Sequence, residues 1–259
     1  MEPDIEKKKD PEEAEIPIEE VPQREREWKP VTRLGKLVQE GTIADIKDVF
    51  DNGHSIRETR IVELLLPNLE EDLLLIRQAK GKFGGGQRRI FRQTQKKTRE
   101  GNKIQFTTCA LVGNRDGYMG IATGKSKETV PARDKAKRNA RLSLIRIRRG
   151  CGSWQCHCRQ PHSIPFTVEG RCGSARIRLI PAPKGKGLCI EKECAKMLAM
   201  AGVKDIWSKT SGQTRTKLNL SFALIDALKK LMVVKVRPDD IARLGVVEGE
   251  LKTAPTSEA

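Results

Sequence analysis

The apolar spacing of the chain divides it into short helical and strand-like segments. Ile43, Ile46, Val49 and Phe50 recur at helical spacing, with Thr42 placed as a cap and Asn52-Gly53 as a stop. Ser55-Ile-Arg-Glu58 has the form of a capping box ahead of Ile61, Leu64 and Leu65, and Pro67 ends that helix. Ile104, Phe106, Thr108 and Ala110 alternate with Gln105, Thr107 and Cys109 at strand period. Asn114-Arg-Asp-Gly117 is a turn signal, and Tyr118 to Thr123 reads as the returning strand. Ser126 to Arg149 predicts a helix with Pro131 in its first turn, where proline is tolerated. Its stripe Ala132, Ala136, Ala140 and Leu144 suits close packing on a sheet. Arg133, Lys137 and Arg141, widened by Lys135 and Arg138, are expected to face outward. A short sheet, a small-residue helix and basic loops follow the logic of a double-stranded-RNA-binding-like module, which reads shape and backbone more than sequence.

The second half has a different pattern. Ile164 to Val168 predicts a strand and Gly170-Arg-Cys-Gly173 a turn. In Ser174 to Ile180, Ala175, Ile177 and Leu179 alternate with Arg176 and Arg178, so one face is apolar and the other cationic. Pro181-Ala-Pro-Lys-Gly-Lys-Gly187 is a stiff, then flexible, loop carrying Lys184 and Lys186. Cys194, Met197, Leu198 and Ala201 predict a helix stopped at Gly202; Leu220, Leu224, Ala227, Leu228 and Leu231 predict a longer one. A short helix over Pro238 to Leu244 precedes a polar tail.

Charge changes the picture. Fifty Lys and Arg against 34 Asp and Glu give a net +16 over 259 residues. The first 27 residues carry 11 acids and 5 bases, so the remainder stands at +22. Such an excess repels itself in a compact monomer and favours phosphate. A soluble enzyme decorated with lysines would spread its bases evenly, whereas here they fall in blocks. Residues 77–103 form the most basic block. Lys82-Phe-Gly-Gly-Gly-Gln-Arg-Arg89 reads as flexible, and Lys96, Lys97, Arg99 and Lys103 gather around Gly101 as an arm that tracks phosphates. No apolar run reaches the roughly 18 residues of a membrane span. The acidic N-terminus lacks the apolar segment of a secretory signal, and residues 1–27 read as a disordered tail.

Two motifs bear on chemistry. Gly120-Ile-Ala-Thr-Gly-Lys-Ser126 is one residue short of a phosphate-binding loop, and Lys125 and Lys127 are better read as the basic edge of a strand-to-helix turn. Cys151, Cys156, Cys158 and His162 offer four soft donors within twelve residues, enough for one structural zinc, with His157 and Cys172 as spares. A loop of free thiols is the alternative, and an odd count of seven cysteines argues against a disulfide framework. No Glu sits near the cluster to work on a bound water, and Arg148, Arg149 and Arg159 surround it, which disfavours a catalytic zinc or a Cys–His nucleophile. Aromatics total 4%, so base stacking by Trp28, Trp154 or Trp207 cannot be the main binding mode.

These residues resemble the small-subunit ribosomal protein S-five family in its archaeal and eukaryotic branch, called S-two in eukaryotes. The likeness rests on Val31-Thr-Arg-Leu-Gly-Lys-Leu-Val38, Val112-Gly-Asn-Arg-Asp-Gly117 and Arg148-Arg-Gly-Cys-Gly-Ser-Trp154. Pro161-His162, Gly170-Arg-Cys-Gly-Ser174, Leu179-Ile-Pro-Ala-Pro183 and Met200-Ala-Gly202 continue it, from about Trp28 to Leu231. The resemblance implies an α+β protein: a double-stranded-RNA-binding-like N-terminal domain, then a βαβ-type ribosomal C-terminal domain. The expected divisions are a tail over 1–27, a helical extension over 28–76, the two domains over 77–149 and 150–232, and a tail over 233–259. The implied role is a non-enzymatic, cytoplasmic constituent of the small subunit, with neither membrane nor small-molecule substrate. Its partners would be small-subunit rRNA, mRNA in the channel by which it enters, and the neighbouring proteins S-four and S-eight, with an influence on decoding accuracy. The expected RNA contacts are Lys96, Lys97, Arg99, Gly101 and Lys103, with Arg115, Lys125, Lys127, Arg133, Lys137, Arg141, Arg148, Arg149, Arg171, Arg176, Arg178, Lys184 and Lys186. The chain departs from the family pattern in an insertion at Gly81 to Arg92, and in Glu100-Gly101-Asn102 where bacterial members pair glycines.

Overall fold

The computed structural model describes residues 28–78 and 86–250. The expected acidic tail, the last residues of the polar tail and most of the glycine-rich run lie outside the described residues.

Three short helices come first: α1 (Arg33–Gln39), α2 (Ile46–Asp51) and α3 (Thr59–Leu65). Leu34, Ile43, Val49 and Ile61 close a small core between them, with Trp28 against it. Two starts differ from expectation. Asp45, not Thr42, precedes α2, and Glu58, not Ser55, precedes α3. The Glu58 carboxylate turns back to accept from the N–H of Val31 and Thr32 and from Trp28 Nε1, at 3.1, 2.7 and 3.0 Å. It fastens the incoming chain and so is not available for a capping box.

The first sheet follows. β1 (Glu70–Leu73) leads to the short pair β2 (Arg77–Gln78) and β3 (Arg88–Arg89), then β4 (Arg92–Thr98), β5 (Gly101–Gly113), β6 (Tyr118–Ser126), α4 (Thr129–Leu142), β7 (Leu144–Arg146) and β8 (Arg148–Arg149). β5 is the axis. β6 pairs along Phe106 to Gly113 on one side, while β4 and β1 share the other. The outer residues of β5, Gly101 to Gln105, have only β4 beside them, so β4 and β5 project from the sheet as a two-stranded ribbon. The basic stretch expected as a loop is thus mostly strand, turning at Arg99-Glu100 with Gly101 at φ +110°. β5 is buried on both faces beyond that point: Ala110 and Val112 meet α4, and Cys109 and Leu111 face the main core.

Alanine on α4 and glycine on β6 allow the helix to lie close. A Cβ added to Gly120 would stand 2.2 Å from the Ala140 carbonyl, and one on Gly124 would stand 2.3 Å from that of Ala132. The glycines that mimic a phosphate loop are packing residues. α4 stops at Leu142 rather than Arg149, because Ile145 and Ile147 alternate with arginines and favour extended backbone.

The second sheet comprises β9 (Val168–Cys172), β10 (Ala175–Pro181), β11 (Leu188–Cys189) and β12 (Ile206–Ser211), in order β11-β12-β10-β9. β11 and β12 are parallel and joined by α5 (Lys192–Met200), which gives a βαβ unit; the other pairs are antiparallel. The expected strand at Ile164 begins only at Val168, since Ile164 is a fully buried core residue on irregular backbone. The turn lies at Gly173-Ser174, and Gly170 belongs to β9. There it repeats the close approach of the first domain: an added Cβ would reach 2.0 Å from the Ala223 carbonyl of α6 (Lys217–Val233). Both sheets share one core, in which Leu111, Met119 and Ile147 pack with Leu179, Leu198, Leu224 and Leu228. The fold is α+β, as expected.

The segment expected as a tail is folded as far as Glu250. α7 (Pro238–Leu244) leads into β13 (Val247–Glu248), which pairs with β8.

Gly124→Ala should cost roughly 1–3 kcal/mol or more, because backbone on both sides of the new methyl must move. Chemical unfolding of the full chain measures this. An unchanged midpoint would show that α4 can rise off the sheet freely.

Candidate nucleic-acid interface and metal centre

The projecting ribbon carries Lys96, Lys97, Arg99, Gly101 and Lys103, all exposed. Directly opposed residues in an antiparallel pair share a face. Lys96 opposes Lys103, and Arg92, Thr107 and Lys125 form a row across three strands on the same side. This side faces away from α4. Two lysines directly opposite each other destabilise a ribbon in the absence of an anion. Lys103 is eased by an exposed ion pair to Glu100 at 2.9 Å. At the ribbon's base a cleft of about 620 Å³ is lined by Arg77, Arg92, Thr94, Gln213 and Arg215, with no carboxylate among the described residues lining it. Arg77, Arg92 and Arg215 were not singled out from the sequence. Only the folded chain brings the ribbon beside the loop ahead of α6.

The second sheet turns its polar face outward. Arg171 opposes Arg176, and Arg178 opposes both Lys209 and Glu169, with an ion pair to Glu169 at 3.3 Å. Lys127, Lys184 and Lys186 are exposed, and Arg115 is exposed but paired with Glu70 at 2.7 Å.

Other expected contacts are turned inward. On α4, Lys137 pairs with Glu71 at 2.9 Å, and Arg141 pairs with both Glu63 and Glu71. Arg133 lies half-buried over the Phe91 ring, 6.0 Å from its centroid. The outward bases of the helix are Lys135 and Arg138. Arg148 and Arg149 are corrected more sharply, being only 7% and 3% exposed. Arg148 binds Glu248 at 2.6 Å and donates to the carbonyls of Leu231 and Val234 at the end of α6. Arg149 pairs with Asp116 and donates to the Gly249 carbonyl. Both are structural, because a helix that ends at Leu142 leaves them on a covered strand.

Cys151, Cys156, Cys158 and His162 come together, their four donor atoms all within 4.8 Å of one another. A tetrahedral zinc places such donors about 3.5–3.8 Å apart, given bonds of roughly 2.0–2.3 Å, so the cluster needs only slight contraction. His162 Nδ1 lies 2.9 Å from Asp205 Oδ2, and Nε2 lies 3.8 Å from Cys156 Sγ. Burial and the neighbouring thiols of Cys158 and Cys156 push Cys151 up to about 11. The Lys184 and Cys158 backbone N–H groups bring Cys156 down to about 6. The core thiols Cys109 and Cys194 are pushed up to about 12 by burial, the behaviour of inert packing residues. Cys172 and His157 are not in the cluster. Four donors fill a tetrahedral shell and leave no position for a substrate.

Two family profiles match the chain: "Ribosomal protein S5, N-terminal domain" over residues 90–148 and "Ribosomal protein S5, C-terminal domain" over residues 170–244. The small ribosomal subunit protein uS5 of Nanoarchaeum equitans is 47% identical over 225 residues, 87% of this chain and 96% of the relative. That of Methanococcus maripaludis is 44% identical over 224 residues, 86% and 93% of the two chains. That of Methanocaldococcus jannaschii is 42% identical over 225 residues, 87% and 97%.

Glu71 supplies a pH test of the inward-turned bases. Burial alone would raise its pKa, but Lys137 and Arg141 outweigh burial and hold it below the ordinary carboxylate value. A carboxylate lowered in the folded state adds stability above its unfolded value, roughly 4.3, and loses it as pH falls through the folded one. Glu71→Gln should therefore lower the unfolding midpoint at pH 7, with the deficit shrinking below about pH 4. A deficit constant across pH would trace it to packing instead.

Proposed function

The chain belongs to the ribosomal protein S5 family, and from that premise we propose that it works as a structural constituent of the small ribosomal subunit, bound to small-subunit rRNA in the cytoplasm. The family is structural, not enzymatic. The projecting β4–β5 ribbon carries the reading: its cations face solvent away from the core, with Lys103 ion-paired to the exposed Glu100. Lys96, Lys97, Arg99 and Lys103 stand clear of the core, and Arg92 and Lys125 extend their row to the cleft with Arg77 and Arg215. Cations so placed neutralise phosphates and release counterions, while the two sheets fix where the ribbon points. In this reading the ribbon lines the channel by which mRNA enters and supports decoding accuracy. The polar face of the second sheet, with Arg171, Arg176 and Arg178, takes rRNA. The neighbours would include the proteins S-four and S-eight. We also propose that Cys151, Cys156, Cys158 and His162 hold one structural zinc, which suits their spacing and the set of three thiols and one imidazole.

Replacing Lys96, Lys97 and Arg99 together with Ala should leave incorporation into subunits intact, yet weaken mRNA retention and raise misreading. For the free chain, the slope of log affinity for RNA against log salt should fall by about 2–3. Unchanged initiation, unwinding and misreading would remove the ribbon from the mRNA path. A chain that stays in the soluble fraction at moderate salt, away from subunits, would instead be a free RNA-binding regulator.

Metal analysis of subunits purified with the chain should give about one zinc per chain at this site. Co-purification without zinc would reduce the cluster to a thiol-rich loop and leave the ribosomal role standing.

A further inference from the structure

The loop between β10 and β11, Ala182 to Gly187, has no strand or helix of its own and carries the exposed Lys184 and Lys186. Two routes tie it to the Cys/His cluster. Lys184 Nζ donates to Gln160 Oε1 at 2.9 Å, on the stretch between Cys158 and His162. Farther along, the Gly187 N–H donates to Asp205 Oδ1 at 2.7 Å, while Asp205 Oδ2 meets His162 Nδ1 at 2.9 Å. His162 and Asp205 are each only 5% exposed in their side chains. The backbone closes the same ring, since the His162 carbonyl accepts from the N–H of Lys204 and Asp205. A neutral imidazole, the form that ligates a metal, presents Nε2 as a lone pair when its Nδ1–H is committed to a buried carboxylate. Here that lone pair is directed at the thiols.

We propose that a bound metal clamps the basic loop Ala182 to Gly187, with Asp205 as the positioning residue that orients His162 toward the metal and holds Gly187 at the same time. The inference rests on the zinc reading and deepens it. The metal sets the position of two lysines through a carboxylate that is not itself a ligand. Asp205 drew no attention in the sequence because it stands 43 residues from His162.

The test uses the full chain, loaded with zinc or stripped by chelation. Amide exchange at Gly187 should be slow in the loaded chain and accelerate in the stripped one. Asp205→Asn should weaken zinc binding roughly 10–100-fold, as loss of such a partner does, and should free the Gly187 amide. A double-mutant cycle separates orientation from simple loss of structure. In a His162→Cys background the ligand set is four thiolates with no imidazole to orient, so Asp205→Asn should no longer change zinc affinity. An equal loss of affinity in both backgrounds would overturn the positioning role, as would equal exchange in loaded and stripped chains. If the wild-type chain binds no zinc, the zinc reading itself fails and the clamp with it, an outcome distinct from either of these.

Discussion

Arg148 and Arg149 meet three parts of the chain that are far apart in sequence. One guanidinium takes the last carbonyls of α6 and the Glu248 carboxylate, and the other takes Asp116 in the β5–β6 turn and the Gly249 carbonyl. The end of a helix is rich in unpaired carbonyls and carries partial negative charge, so cations there satisfy both demands. The β5–β6 turn is in turn docked on the end of α5, where Arg115 and Gly117 donate to the carbonyls of Met200 and Ala201. Removing one partner of such a buried pair typically costs roughly 3–5 kcal/mol, because the other is left charged and dry. The two sheets share a hydrophobic core, but this polar junction fixes how their ends meet.

The same junction explains how a chain of net charge +16 stays compact. Part of the excess is folded into the structure: Lys137 and Arg141 on Glu63 and Glu71, Lys217 and Arg88 on Glu191, Arg146 and Arg148 on Glu248. Exposed cations gather on the ribbon, the cleft at its base, the open face of the second sheet and the loop beside the cysteines, as well as on the outer side of α4. Charge that a core cannot use is placed where phosphate can approach.

Much of this was legible. The period-two alternation of Ala175 to Leu179 put arginines outside and aliphatics inside, as found. The alanine stripe of α4, the long helix α6 and the bounds of α7 followed from spacing and from Pro238. The Cys/His cluster was legible because its donors lie within twelve residues, so the local chain brings them together. Misreadings arose where a cation's destination depends on distant chain. Nothing local to Arg148 or Arg149 reveals that Glu248 and Gly249 return a hundred residues later to cover them. The sequence predicts a loop at the ribbon because a two-stranded extension beyond the sheet has no apolar face to announce it. Its burial pattern from Arg92 to Lys97 is uniformly exposed.

The pairing of β13 with β8 imposes an order on the protein's synthesis. Tyr118, Arg148 and Arg149 wait for residues 247–249 before their polar groups are covered. At ordinary elongation rates the hundred intervening residues take on the order of 5–20 s to emerge. During that interval Arg149 has Asp116 within reach, but the Glu248 carboxylate and the Gly249 carbonyl that complete the cover of both guanidinium groups are still missing. The arrival of the C-terminal segment, by pairing β13 with β8, completes the polar cover of the seam.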